Sequence, residues 1–201
     1  MRWKTAMILA VVLGTAFAGL AAATAGAERE RPPRGSAVVE LRGANGAAIG
    51  TVTLIPQRGS VLVSARVRGL TPGYHGFHIH AIARCDRAAV NSMGQPTPFA
   101  SAGPHFNPEA VSHGLHRGDF PPLLVSRAGT ATAAFVTDRF TIRQLIDVDG
   151  SAAIVHANRD NSANIPDRYV GPDGAGPDFA TRETGDSGDR VACGVVPRPR
   201  G

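Results

Sequence analysis

The chain of 201 residues has only two cysteines, Cys85 and Cys193. They stand alone, without the CxxC spacing that is typical of thiolate zinc sites. The amino terminus of this chain has the pattern of an export signal, and two cysteines in an oxidising compartment most often pair with each other, so we expect one disulfide. A cysteine metal ligand is the weaker alternative, because neither cysteine has a second thiol near it in the sequence.

Lysine is almost absent, and Lys4 is the only one. The formal net charge is +5, and losing the two positive charges of Arg2 and Lys4 would lower it to +3, since every acidic residue lies at or beyond Glu28. A balance this mild gives no indication of a nucleic-acid partner. We therefore predict a chain that does not bind nucleic acid.

Long hydrophobic runs are absent except at the amino terminus, where an apolar stretch extends from Ala6 to about Ala23. Charged residues precede it, and the small residues Ala25-Gly26-Ala27 follow it, which is the pattern of a cleaved secretory signal peptide. A transmembrane anchor is the alternative, because about 18 apolar residues can just span a bilayer. We favour cleavage, and so expect a secreted or periplasmic protein with no stable membrane span after processing.

The predicted organisation has four parts. Residues 1–27 form the signal peptide, 28–35 a charged linker, 36–196 one domain, and 197–201 a flexible tail. The part that remains after cleavage is long enough to bury a sizeable core as a single domain.

Helical periodicity is nearly absent, whereas apolar alternation with period two recurs in eight short runs. The runs lie at 36–42, 48–56, 60–70, 76–80, 122–126, 131–137, 151–158 and 190–196. They predict an all-β sandwich or barrel, with a hairpin turn at Asn45-Gly46 and a helical turn within 138–148. Two long segments without a convincing strand, 81–121 and 159–189, have the length of functional loops.

All seven histidines lie in strands beside these long segments or within the first of them. In the run "GFHIH", period two directs His78 and His80 to one face and Ile79 to the core. His156 belongs to a later strand, His75 precedes the run, and the other three follow His80 along the first long segment. Together with Asp119, that segment contributes three histidines: His105, His113 and His116.

The side chains fall into two sets of metal-ligand type. His113, His116 and Asp119 offer two nitrogens and one oxygen, a zinc-compatible set that lacks one nitrogen. Histidines 78, 80 and 156 offer three imidazole nitrogens, which suit copper, and residue 105 could complete both sets. A solvated histidine-rich loop that binds metal adventitiously is the alternative that these residues leave open.

Five motifs, in the order "GFHIH", "SAGPHFNP", "HRGD", "IVHANRDN" and "TGDSGDRVACGV", resemble those of the secreted bacterial copper/zinc superoxide dismutases. The resemblance extends from about Ser36 to Val196. It implies an eight-stranded Greek-key β-barrel, a flattened sandwich with two long functional loops. It also implies disproportionation of superoxide to O2 and H2O2 by a redox-cycling copper ion, which a histidine imidazolate bridges to a structural zinc.

The resemblance also implies a role for each site residue. It assigns copper to four histidines: His78, His80, His105 and His156. It assigns zinc to three histidines and one aspartate: His105, His113, His116 and Asp119. His105 is then the bridging ligand and one of two catalytic residues, with Arg190, which sits beside the copper. Asp160 hydrogen-bonds one histidine of each set, Cys85 pairs with Cys193, and His75 packs beneath the site without binding metal.

Two features depart from the family pattern. The gap from His113 to His116 is shorter than usual, which leaves a copper-only superoxide dismutase as one alternative. Glu183 stands where many relatives have a lysine that guides the anion.

A secreted copper-binding or storage protein without turnover is the other alternative; the complete copper set and Arg190 favour the enzyme. The strands give no clear exposed apolar stripe, so a homodimer is left open.

Overall fold

The computed structural model describes residues 32–91 and 93–199. The predicted signal peptide, residues 28–31 of the predicted linker and the last two residues of the predicted tail lie outside the described residues. Among the helices of the described part, none combines the length and the apolar character needed to cross a membrane.

The described part of the chain is built mainly from β-strands. In chain order they are β1 Ala37–Gly43, β2 Ala48–Gln57, β3 Ser60–Arg68, β4 Gly73–His75, β5 Phe77–His80, β6 Leu123–Val125, β7 Thr130–Thr137, β8 Ala152–His156, β9 Val170–Gly171, β10 Gly174–Ala175 and β11 Arg190–Val195. The helical segments are two 3-10 turns, Ala100–Ala102 and Ile142–Ile146, and one short helix, α1, Phe179–Thr184.

Seven strands form one curled antiparallel sheet in the order β5-β8-β11-β1-β2-β3-β7. β4 pairs with β6, which also contacts β7, and β9 pairs with β10. The predicted all-β, barrel-like fold is confirmed, and each of the eight predicted runs contains a strand. The predicted helical turn is the second 3-10 turn. The sequence did not indicate β4, the β9–β10 hairpin or α1.

Alternation explains why the long strands form this sheet. In β1 every second side chain is buried, with Val39 and Leu41 fully inside and Glu40 exposed between them. β2 and β3 continue the pattern with Leu54 and Val63. Burying one such aliphatic side chain contributes about 1.5–3 kcal/mol, so the inner face of the sheet supplies the main core.

At the β5–β8–β11 end, both faces of the sheet are buried. Phe77 and Ile79 of β5 pack in the main core, which leaves His78 and His80 on the opposite face. On that outer face Ile154 of β8 joins a smaller apolar cluster beneath the first long loop. β5 therefore packs against the core with one face and contributes histidines to the candidate site with the other.

The disulfide joins Cys85 of the first long loop to Cys193 of β11, as predicted. The two Cα atoms are 5.6 Å apart, and the residues are 108 positions apart in sequence. A cross-link over a loop this long can contribute up to about 4–5 kcal/mol on an entropic account that is disputed. It fixes the start of the loop on the outer face of the sheet.

Candidate metal centre

The first long loop returns to the free edge of β5 and pairs with it. Phe106 N–H donates to the Ile79 carbonyl oxygen at 2.8 Å, and Ala81 N–H donates to the Pro104 carbonyl oxygen at 2.9 Å. These two bonds bring His105 opposite His80. This bridge joins β5 to a loop residue that lies 25 positions later in the chain.

A second part of the same loop also pairs with β5, at Ile79 and His78. Ile79 N–H donates to the Gly118 carbonyl oxygen at 2.8 Å, and Asp119 comes to lie opposite His78. A Cβ atom on residue 118 would lie 2.3 Å from the Ile79 carbonyl oxygen, so only glycine permits this approach. The loop thus delivers a carboxylate beside the strand histidines.

Four buried histidines make up the first group of ligand atoms. One ring nitrogen from each lies within 4.8 Å of those of the others: His78, His80, His105 and His156. His80 Nε2 and His156 Nε2 are 3.2 Å apart. The structure therefore brings together the whole set to which the resemblance assigned copper.

The second group surrounds Asp119. Its Oδ1 atom lies 3.2 Å from His105 Nδ1, 3.2 Å from His113 Nδ1 and 3.3 Å from His116 Nδ1. His116 Nδ1 is also 3.4 Å from His105 Nδ1. Three ring nitrogens and one carboxylate oxygen converge here, and His105 belongs to both groups.

Backbone carbonyls fix the tautomers of two rings in the first group. His80 Nδ1–H donates to the Gly103 carbonyl oxygen, and His156 Nδ1–H donates to the Gly188 carbonyl oxygen, each at 2.9 Å. Each ring therefore keeps the lone pair on Nε2, and these are the two Nε2 atoms that face each other. A neutral imidazole with its outer N–H held in this way is the form that binds a metal.

The Asp160 carboxylate fixes the tautomer of one ring in each group. Its Oδ2 accepts from His78 Nε2–H at 2.6 Å, and its Oδ1 accepts from His113 Nε2–H at 2.8 Å. The Nδ1 atoms of these two histidines are buried and have no hydrogen-bond partner among the described residues. A buried polar atom without a partner is costly, and a metal ion in each group would satisfy both. The donor sets fit copper and zinc.

Burial keeps the rings of the first group neutral. It lowers the pKa of His80 well below its usual value. It lowers the pKa of His105 to about 3 and that of His156 to about 2. It also lowers the pKa of His78, against the opposing effect of the Asp160 carboxylate. Neutral rings offer lone pairs without first losing a proton.

At His113 the adjacent carboxylates raise the pKa, in contrast to the lowered values in the first group. Burial lowers its pKa, but the negative charges of the adjacent Asp119 and Asp160 carboxylates together outweigh burial and raise the pKa to about 9. Burial would raise the pKa of the two carboxyl groups, yet the adjacent histidines hold both well below their usual range. Both carboxylates are therefore ionised at neutral pH, and Asp119 offers a negative oxygen to a cation.

Arg190 lies at the mouth of the first group. Its two terminal nitrogens donate to the carbonyl oxygens of Phe99 and Gly103, each at 2.6 Å, which fixes the direction of the guanidinium. Partial burial lowers its pKa from the ordinary value. A cavity of about 390 Å³ opens here, and its walls are formed by His80, Pro104, His105, His156, Glu183, Thr184, Asp186, Gly188 and Arg190.

His75 lies apart from both groups. It is buried, and its Nδ1–H donates to the His156 carbonyl oxygen at 2.6 Å, while Nε2 lies 2.9 Å from the Thr71 carbonyl oxygen. The ring therefore supports the backbone of β8 and offers the ligand groups no free nitrogen.

Sequence reasoning missed two residues that shape the site. A Cβ atom on Gly185, at the end of α1, would lie 2.1 Å from Asp160 Oδ1, so its absence allows the helix end to cover the Asp160–His113 pair. Gly185 has a φ of 60°, and a Thr-Gly pair closing a helical stretch is a signal that could have indicated it. The second is Arg139, whose Nη1 atom donates to the carbonyl oxygens of Gly114 and His116 beside the second group. Nothing in the sequence around Arg139 indicates these contacts.

Comparison with known proteins agrees with this geometry. The family model described as "Copper/zinc superoxide dismutase (SODC)" matches residues 48–196. A "Superoxide dismutase [Cu-Zn]" of Mycolicibacterium paratuberculosis is 38% identical over 179 residues, covering 86% of this chain and 79% of that protein. One from Photobacterium leiognathi is 34% identical over 158 residues, covering 75% and 80%.

A solved structure, the Cu/Zn superoxide dismutase from Brucella abortus, superposes with a TM-score of 0.61 at 27% identity. The match covers 81% of this chain and 99% of that chain. The fold, the two histidine groups and these matches agree: the chain belongs to the copper/zinc superoxide dismutase family.

Proposed function

We propose that this chain is a superoxide dismutase, which converts two superoxide anions and two protons to O2 and H2O2. Copper is held by the first group, His78, His80, His105 and His156, and zinc by the second, His105, His113, His116 and Asp119. One observation carries the proposal: the His105 ring lies among the four histidines of the first group, and its Nδ1 atom also lies 3.2 Å from Asp119 Oδ1 and 3.4 Å from His116 Nδ1 in the second.

Copper supplies one-electron redox chemistry when it is bound, and zinc, which has none, supports the ring and the loop. His105 Nδ1 faces Asp119, which leaves its Nε2 for the first group. That Nε2 can hold a proton and pass it to the reduced substrate. The shared imidazole can therefore donate a proton at the position where the anion reacts.

Arg190 attracts and orients the anion. The two carbonyl bonds hold its charge in one direction before substrate arrives, so little reorganisation is needed. A positive charge at the mouth of a cleft raises the rate of association with an anion, by about 10-fold or more in favourable cases.

The open cavity favours turnover over copper storage. Three rings of the first group line it beside Arg190, so a small anion has a path to them. A storage protein needs no such path and no adjacent guanidinium. The four atoms of the second group likewise favour a zinc-containing enzyme over a copper-only one, because the short gap from His113 to His116 still brings both rings to Asp119.

We also propose that the protein works outside the cytoplasm, either secreted or in the periplasm. The Cys85–Cys193 disulfide supports this, because disulfides persist in oxidising compartments. The predicted signal peptide points the same way. Superoxide is its small-molecule partner, and a homodimer stays a prediction.

Metal content and activity test this function together. Protein loaded with copper and zinc is expected to hold about one of each per chain, as the two ligand groups require, and to remove superoxide much faster than free copper. The measurements are metal analysis and a superoxide-consumption assay. Tight copper binding without such a rate would favour storage. Copper at full occupancy with no zinc would remove His113, His116 and Asp119 from the ligands.

Glu183 is expected to slow the enzyme. It lies in the wall of the copper-side cavity, where its negative charge opposes an approaching anion. Glu183→Gln should raise kcat/KM by about two- to threefold at low ionic strength, and the gain should vanish in high salt because screening removes it. Glu40→Gln makes the same charge change on the exposed face of β1 and should have no effect. An equal gain in both variants would show that net charge, and not position, matters.

A further inference from the structure

We propose that Arg139 is a positioning residue that holds the turn between His113 and His116 in its zinc-binding shape. The inference rests on the proposed zinc site. Arg139 follows β7 and lies more than 20 positions from the turn in sequence. Its Nη1 atom donates to the carbonyl oxygens of Gly114 and His116, at 3.1 and 3.0 Å.

The other side of the same turn is held by Asp119. Its Oδ2 accepts from the backbone N–H of Gly114 at 2.7 Å and from that of His116 at 3.0 Å. Residues 114 and 116 thus give their N–H groups to the carboxylate and their carbonyl groups to the guanidinium. The two backbone N–H groups are therefore held by a proposed ligand and the two carbonyl groups by Arg139, although the His116 carbonyl also accepts from the Asp119 backbone N–H at 3.2 Å.

Besides these contacts, the turn has one backbone bond of its own near its start, in which Leu115 N–H donates to the Ser112 carbonyl oxygen at 3.1 Å. Leu115, between the two fixed residues, is 67% exposed and adds little packing. Gly114 has a φ of 87°, and a Cβ there would lie 2.7 Å from the Ser162 carbonyl oxygen, so the backbone conformation depends on glycine. His113 N–H donates to the Arg182 carbonyl oxygen at 2.7 Å, which anchors only the start of the turn. The end at His116 depends on Asp119 and Arg139.

Arg139 is itself well placed for this role. The next residue, Phe140, is buried in the main core, so the backbone at 139 is fixed while the side chain remains at the surface. A cleft of about 340 Å³ lies beside it, and the lining includes Gly114, Asp119, Arg139 and Asp160. Without the guanidinium, water in this cleft could take its place at the two carbonyls without fixing their directions.

The expected effect is on zinc and not on copper. Hydrogen bonds from a charged donor are stronger than neutral ones, and losing a partner outside the ligand set typically weakens metal binding by about 10–100-fold. Because Arg139 is at the surface, water will partly replace it. We therefore expect a value near the lower end, about 10-fold, while the copper ligands, which it does not contact, are unaffected.

The test compares Arg139→Gln and Arg139→Lys with wild type. The readouts are the rate of zinc loss to a chelator, the visible absorption of Co²⁺ bound in place of zinc, copper stoichiometry and the Tm of the metal-free protein. Arg143→Gln is the control, because Arg143 is exposed nearby and makes no side-chain hydrogen bond within the described part of the chain. Lysine keeps a charged donor and should restore part of the zinc affinity.

Faster zinc loss and a changed Co²⁺ spectrum in Arg139→Gln, with copper and metal-free Tm close to those of Arg143→Gln, would support the positioning role. An unchanged rate of zinc loss would overturn this inference but not the proposed zinc site. So would faster zinc loss together with a drop in metal-free Tm large enough to explain it. Wild-type protein that takes up no zinc or Co²⁺ would overturn the proposed zinc site and this inference with it.

Discussion

Replacing His80 by glutamine is expected to lower superoxide removal by more than about 100-fold, since loss of an outer partner alone costs about 10–100-fold in metal affinity or activity. His80 is fully buried and its Nε2 atom lies among the four nitrogens of the proposed copper set. Glutamine can still donate to the Gly103 carbonyl, but it offers no imidazole lone pair. Copper stoichiometry and the superoxide assay measure the loss.

His75→Gln is the matched control, because it removes another buried histidine from the same stretch of chain. It should lower thermal stability, since the ring hydrogen-bonds the His156 carbonyl oxygen, yet leave copper close to one per chain. If His80→Gln retains full copper and activity, His80 is not a ligand. Equal copper loss in both variants would indicate a general effect of destabilisation.

Replacing Arg190 by glutamine is expected to lower kcat/KM by about 10-fold or more at low ionic strength, because the positive charge at the cavity mouth is removed. The dependence of the rate on salt should weaken in the same variant, since less attraction remains to be screened. Copper content should stay unchanged, because the guanidinium bonds to carbonyl groups and not to the ligand nitrogens. Stopped-flow measurement over a series of salt concentrations tests this.

Arg182→Gln changes the net charge by the same amount from an exposed position in the last turn of α1. It does not line the cavity, so its effect should be small. Equal losses in both variants would mean that overall charge guides the anion. No loss in Arg190→Gln would remove Arg190 from the catalytic residues.

The long strands β1, β2 and β3 could be predicted because only one face of each is buried. Val39 and Leu41 alternate with exposed residues, and that alternation is visible in the sequence. β4 and the β9–β10 hairpin are only two or three residues long, too short for any periodicity to show. The residues of both ligand groups could be named in advance through motifs that resemble those of a known family, whereas the spacing of histidines alone left other interpretations open.

The contacts that assemble the site could not be predicted from local sequence. Residues 104–106 and 118–120 pair with the edge of β5, although neither stretch has a strand pattern, because a tertiary surface and not local propensity holds them there. Arg139 illustrates the same limit: nothing in "TDRF" indicates that its guanidinium reaches a turn more than 20 residues earlier. Long-range hydrogen bonds carry no mark in the sequence beside them.

β5 is only four residues long, yet both of its faces are occupied: Phe77 and Ile79 fill the interior, and the two imidazoles between and after them face outward. Because successive side chains alternate, inserting or deleting one residue here would exchange the two sets. Polar rings would enter the barrel and bulky hydrocarbon would replace the ligands, so folding and metal capture would fail together. This strand should therefore tolerate substitution of some side chains far better than any change in its length.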